Sequence, residues 1–231
     1  MEPNVKNVDD DTNTLTFTLS GVNVSIANAL RRTILSDIPC VVFKTLPYND
    51  SKITIDINTS NFNNEIIKQR LSCIPIHIDD LQFPIDDYIL EIDVKNDTDN
   101  VIYITTEDFK LKNVKLNNYL NDATSKKIFP KNALTNYYID FIRLNPAYGN
   151  TINAERVKLQ CKLSYGNAKE NGSFNVVSTC SYSNTKDLAL INDTWDTLEK
   201  EYIDKGVIKT ELELLKKDWL LLDANRLYIK N

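Results

Sequence analysis

Five glycines in 231 residues leave few loops able to wrap a phosphate, and none stands in a G-x-x-x-x-G-K-[ST], G-x-G-x-x-G or G-x-S-x-G pattern. Histidine is scarcer still. His77 is the only one, set beside a proline-containing apolar turn without a partner that would make it a general base, so it reads as structural or exposed. The four cysteines, Cys40, Cys73, Cys161 and Cys180, are widely separated and form no C-x-x-C pair, which excludes a zinc site of ordinary ligand spacing; they read as small buried hydrophobes in a reducing compartment. Basic charge is in the minority, 27 Lys plus Arg against 32 Asp plus Glu, with adjacent basic pairs only at Arg31-Arg32, Lys126-Lys127 and Lys216-Lys217. Direct nucleic-acid binding, which needs a concentrated basic face, is therefore not expected. No apolar run approaches the roughly 18 residues of a membrane helix, and the acidic N-terminus is unlike a secretion signal, so a soluble intracellular protein is expected. The acidic groups Asp9-Asp10-Asp11, Asp79-Asp80 and Asp86-Asp87 fall in leader or turn sequence, where carboxylates solvate and turn the chain rather than hold magnesium. The residues point away from an enzyme acting alone.

What the chain does have is a capped amphipathic segment, Val22 to Pro39. Ser25 is placed to cap the start and Pro39 to stop the helix. At 3.6 residues per turn, Ile26, Ala29, Leu30, Thr33, Ile34 and Ile38 share a stripe, with Asn28, Arg31, Arg32 and Ser36 opposite. Leu35 projects from the polar side between the arginines, as a residue on a partner surface would. Before this segment, Thr14 to Ser20 alternates and predicts a half-buried strand with Leu15, Phe17 and Leu19 on one face.

After it, the pattern predicts strands at 41–46 and 53–57, a helix over 61–72 stopped before Ile74-Pro75, and strands at 88–94, 101–105, 137–144, 157–163 and 176–182. The stretch 110–131 has no firm period and reads as a loop of low order. A helix over 194–205 ended by Gly206 and a second opened by a Thr210-x-x-Glu213 capping box, with Leu212, Leu215, Trp219 and Leu222 on one face, lead to strand-like residues 226–229. Together these predict an α+β chain serving as an interaction protein or scaffold. The alternative from a different class is a small intracellular α+β enzyme or ligand-binding domain.

Three blocks carry a resemblance. Asn28-Ala29-Leu30-Arg31-Arg32 followed by Ile38-Pro39, then Asn64-Glu65-Ile66-Ile67-Lys68-Gln69-Arg70-Leu71-Ser72-Cys73-Ile74-Pro75-Ile76, then Tyr165 to Phe174 with Val176 to Ser181 as a following strand, stand in order and register. The segment is similar to the assembly subunits of cellular RNA polymerases: the bacterial alpha subunit, its archaeal counterpart and the third-largest subunit of eukaryotic polymerase II. The resemblance implies an α+β fold with a split dimerisation domain and an inserted, mostly β domain. Its parts would be 1–44 for the first portion of the dimerisation domain, 45–186 for the insertion, and 187–231 for a helical segment leading back.

It also implies a non-catalytic job: pairing with a smaller homologous subunit, separate or fused downstream, to make the platform on which the second-largest and then the largest polymerase subunits dock. On that carry-over Ile26, Ala27, Ala29, Leu30, Ile34 and Leu35 serve the dimer interface, and Arg31, Arg32, Glu65, Arg70 and Lys169 contact the second-largest subunit.

The chain also departs from the family pattern. No cysteine lies between His77 and Asp97, so no zinc or iron-sulfur cluster is expected, and the family's His-Ala-Lys-Trp loop stands here as Asn171-Gly172-Ser173-Phe174. The strand and long helix that complete the dimerisation domain in relatives are not found, so the chain is expected to be a piece of a longer product or a reduced form completed by its partner. The Asn-, Ile- and Lys-rich usage suits an AT-rich genome, with a large DNA virus encoding its own polymerase as the expected source and the nucleus, a cytoplasmic viral factory or the virion as the location.

Overall fold

The computed structural model describes residues 2–11, 14–78, 80, 82–147, 153–222 and 225–229. In chain order its regular elements are β1 (Asn4–Asp11), β2 (Thr14–Ser20), α1 (Val24–Ser36), β3 (Cys40–Phe43), β4 (Ile53–Asn58), α2 (Asn64–Ser72), β5 (Tyr88–Lys95), β6 (Ile102–Thr105), β7 (Lys110–Asn113), β8 (Asn118–Tyr119), α3 (Asp122–Ile128), β9 (Asp140–Leu144), β10 (Arg156–Gly166), α4 (Leu188–Asp204) and α5 (Lys209–Leu221). The fold class is α+β. Two compact units share the chain: residues 1–31 with 180–231, and residues 32–179, so the boundary falls inside α1.

The larger unit is built on β10. This long strand pairs antiparallel with β3 over residues 163–166, with β4 over 157–161 and with β5 over 156–162, and β7 and β8 extend the sheet beyond β5. Alternation fixes its faces: Val157, Leu159, Cys161 and Leu163 are buried, while Lys158 and Gln160 are half-buried and Lys162 is exposed on the other face. β4 keeps the period read from its sequence, Ile53, Ile55 and Ile57 half-buried between exposed Thr54 and Asp56. On the apolar face sit α2, through fully buried Ile67 and Leu71, and a cluster of Phe43, Phe109, Phe129 and Phe141 in edge and stacked contact. Buried Asn96 is satisfied, donating to the carbonyls of Asn100 and Leu144 and accepting from Thr98, as a polar group in a core must be.

The smaller unit holds the β1–β2 hairpin and the α4–α5 pair. Gly21, at φ +75°, turns the chain out of β2 where a Cβ would stand 2.2 Å from the Glu2 carbonyl oxygen. In the helix pair, Ile191, Trp195 and Leu212 are buried and Trp195 packs on Trp219.

Several expectations are corrected. Residues 4–11 form a strand rather than a leader, because a two-stranded ribbon exposed on both sides admits charges that hide any alternation. For the same reason Leu15 and Phe17 are exposed in this chain, not half-buried. The stretch 110–131 is ordered: β7 pairs with β5, β8 pairs with β7, and Asn121 caps α3 by accepting from Thr124 N–H. Residues 176–182 form no strand; the alternation is present but no sheet edge receives it.

The box from Thr210 does not form, because α5 already starts at Lys209 and puts Thr210 inside the first turn; Leu222 lies past the helix end and is exposed. Residues 226–229 make only an isolated bridge, Lys186 to Tyr228. Of the cysteines, Cys161 alone is buried; Cys40 and Cys180 are half-buried and Cys73 is exposed.

Candidate functional site

α1 is capped two residues earlier than its sequence suggests. Asn23, not Ser25, accepts from Ile26 N–H at 3.0 Å, which places the first residue of the helix at Val24. The helix buries none of its residues. Ala27, Asn28, Arg31, Ile34 and Leu35 are half-buried, whereas Ile26, Ala29, Leu30, Arg32 and Thr33 are exposed. The apolar stripe is therefore split. Ile34 turns with Leu35 toward the chain's own side, and Ile26 and Leu30 remain 43% and 40% exposed, with Ile38 beyond the helix at 38%. Two adjacent arginines face differently: Arg31 Nε donates to Asn28 Oδ1 at 3.1 Å, while Arg32 stands in the open. Leu35 is half-buried beside them.

The C-terminal end of α1 meets the loop after β10. Lys169 N–H donates to the Ser36 carbonyl at 3.2 Å, and Lys169 Nζ lies 2.6 Å from Asp37 Oδ1. Ser36 Oγ donates to the same carboxylate at 3.0 Å. The Lys169 ammonium, with Ser36 and the more distant charge of Arg32, holds the Asp37 carboxyl below the usual carboxylate range.

The loop itself is seated independently: Phe174 is buried, Gly166 lies so close to Phe174 and Val42 that a Cβ would meet both at 3.0 Å, and Lys44 pairs with Glu170 at 3.3 Å. The Cys40 thiol donates to the Phe174 carbonyl at 3.4 Å, and burial pushes its pKa up. Asn171 accepts from Ser173 N–H and so caps the short turn at 172–174.

α2 stands on the other side of this loop. Leu46, Asn63, Glu65, Ile66, Gln69 and Asn171 are among the residues of a shallow open hollow between them. Glu65 is ion-paired to Lys68 at 3.0 Å and remains mostly exposed. Arg70 is exposed yet engaged with its own chain: its Nε donates to the Phe141 carbonyl, its Nη2 to the Asp140 carbonyl at 3.1 Å, and its guanidinium lies 5.9 Å from the Phe62 ring. Thr45 hydroxyl, fully buried, donates to the Lys68 carbonyl and ties α2 to the segment after β3.

Arg32 and Lys169 thus both act on Asp37, and Glu65 borders a hollow with the loop that carries Lys169, whereas Arg70 ties α2 to β9. Sequence reasoning missed Asp37. A carboxylate just past a helix C-terminus opposes the helix dipole and asks for a cation, and that signal was available in Ser36-Asp37-Ile38-Pro39.

His77 is exposed, Asp9 to Asp11 lie on β1, and Asp79 lies outside the described residues. Among the described residues no three His, Cys, Asp or Glu side chains come together as metal ligands, and no helix is long and apolar enough to cross a membrane.

Residues 16–136 match the family described as the RNA polymerase Rpb3/Rpb11 dimerisation domain. The chain is similar to DNA-directed RNA polymerases I and III subunit RPAC1 of Homo sapiens, 43% identical over 70 residues, covering 30% of this chain and 18% of that protein. It is also similar to DNA-directed RNA polymerase subunit Rpo3 of Pyrococcus horikoshii, 32% identical over 94 residues, 38% of this chain and 34% of the relative. A third similarity is to DNA-directed RNA polymerases IV and V subunit 3B of Arabidopsis thaliana, 40% identical over 60 residues, 26% of this chain and 17% of the relative. The chain matches about a sixth to a third of the length of these relatives.

Proposed function

This chain belongs to the RNA polymerase Rpb3/Rpb11 dimerisation domain family, and on that premise we propose that it is a non-catalytic assembly subunit of a multisubunit DNA-directed RNA polymerase. It pairs through α1 with a smaller homologous subunit, separate or joined downstream, and the pair forms the platform for the second-largest and then the largest subunit. The observation that carries this reading is the open apolar stripe of α1. Ile26 and Leu30 stay about two-fifths exposed on a helix inside the matched segment, and Ala29 beside them is small enough for close helix approach. The face of α1 that includes Ala27, Ile34 and Leu35 is half-covered by its own chain and contributes to the partner contact at its margin. Residues 1–44 and 187–231 belong to the dimerisation part, and 45–186 to the insertion.

Arg32 and Glu65, both exposed, offer charge-assisted hydrogen bonds to the second-largest subunit. Arg31, Arg70 and Lys169 stand in positions already engaged with their own chain and shape this face from there.

Leu30→Asp tests the pairing. The side chain is 40% exposed in the isolated chain, so the variant should fold and melt with the parent. In the pair it would bury an unpaired carboxylate, at a cost of several kcal/mol. Co-expression with the smaller subunit should therefore yield no heterodimer on gel filtration. Heterodimer in parental yield would refute the assignment of α1.

A further inference from the structure

At the end of α1 one carboxylate faces two cations, one from the helix and one from the loop after β10. Helix C-termini carry unsatisfied carbonyls and partial negative charge, so Asp37, immediately beyond Ser36, sits where a carboxylate needs a positive neighbour. Lys169 supplies it at 2.6 Å, and Ser36 Oγ fills a further acceptor position. Arg32, earlier on the same helix, acts on the Asp37 carboxylate through its charge but forms no ion pair within 4 Å among the described residues. Guanidinium is the stronger fork for a free carboxylate.

We propose that Lys169 is a positioning residue: by occupying the Asp37 carboxylate it prevents Arg32 from folding back onto it and leaves the Arg32 guanidinium free for the second-largest subunit. The inference rests on the reading of Arg32 as a docking residue. It changes the role of Lys169 from a contact to a guard. The loop that carries Lys169 keeps its seat without that charge, because Phe174, Gly166, the Cys40 thiol and the Lys44–Glu170 pair hold it separately.

A suppressor experiment reads this directly, using the chain co-expressed with the second-largest polymerase subunit of the same source and affinities measured on the purified proteins. Lys169→Met should weaken binding about two- to fivefold, the scale of an exposed ion pair. Asp37→Asn added to Lys169→Met should restore the parental affinity, because Arg32 then has no competitor. Arg32→Ala should weaken binding about thirtyfold or more, and Lys169→Met should add nothing in that background. If the double variant stays as weak as Lys169→Met, Lys169 touches the partner itself and the guard role is overturned while docking through Arg32 stands. If Arg32→Ala binds like the parent, both the docking role and the guard role fail. Unchanged melting temperatures across the series keep these outcomes separate from misfolding.

Discussion

Replacing Arg70 by alanine removes two hydrogen bonds that α2 makes to the backbone of β9, to the carbonyls of Phe141 and Asp140, and the guanidinium contact with Phe62. A hydrogen bond from a charged donor contributes about 1.5–3 kcal/mol where water is excluded. An exposed guanidinium over an aromatic ring adds about 0.5–1 kcal/mol. The Phe141 carbonyl lies in the partly buried setting and loses its partner outright, whereas water replaces the arginine at the exposed Asp140 carbonyl, so the net loss should be about 2–3 kcal/mol. In a protein of this size each kcal/mol lowers Tm by about 2–4 °C, which predicts a fall of roughly 5–10 °C.

Differential scanning calorimetry and urea denaturation both read it, the latter as a lower midpoint at unchanged slope. Arg70→Lys should recover less than half, because one ammonium cannot span two carbonyls. An Arg70→Ala chain that melts with the parent yet loses affinity for the large subunit would refute the bracing role and make Arg70 a direct contact.

Two further outcomes follow from the geometry. Gly21→Ala places a Cβ against the Glu2 carbonyl at positive φ, costing about 1–2 kcal/mol from conformation alone; amide exchange over residues 4–20 should accelerate about tenfold or more, and unchanged exchange would contradict the turn as described. Arg156 donates to both oxygens of Asp93, at 2.8 and 2.7 Å, and this holds the Asp93 carboxyl below its ordinary 3.8. A carboxyl depressed in the folded state stabilises fully above its unfolded value and loses that contribution as pH falls through the folded one. Asp93→Asn should therefore cost a fraction of a kcal/mol at neutral pH, about what exposed pairs contribute, and nothing below the folded pKa; a urea-midpoint difference that persists or grows at the lowest pH would contradict the pairing.

The parts of this fold legible in the sequence were those where one face is buried. β4 and α2 fall where their periods place them, because Ile53, Ile55, Ile67 and Leu71 must all reach one core. β1 was illegible because Asp9 to Asp11 sit in a ribbon with no buried side, and α3 because seven residues are too short to show a helical period. Residues 176–182 show the converse failure, a strand pattern without a neighbouring edge.

At the candidate site the helix itself was readable, but the division of its faces was not. A stripe drawn from sequence groups Ile34 with Leu30, whereas the folded chain half-covers Ile34 and leaves Leu30 open. Arg70 and Lys169 are singled out by the resemblance, and only the folded chain shows what each bonds within the chain: Arg70 the carbonyls of β9, Lys169 the carboxylate of Asp37.

Whether the open stripe of α1 and the Arg32 surface build a polymerase is decided most directly by purifying the tagged chain from its native source under mild conditions and identifying its companions by mass spectrometry. An assembly subunit brings with it two very large polymerase subunits and the smaller homologous partner, unless that partner is joined to the same polypeptide. Recovery of the chain without any polymerase subunit would contradict the proposed function.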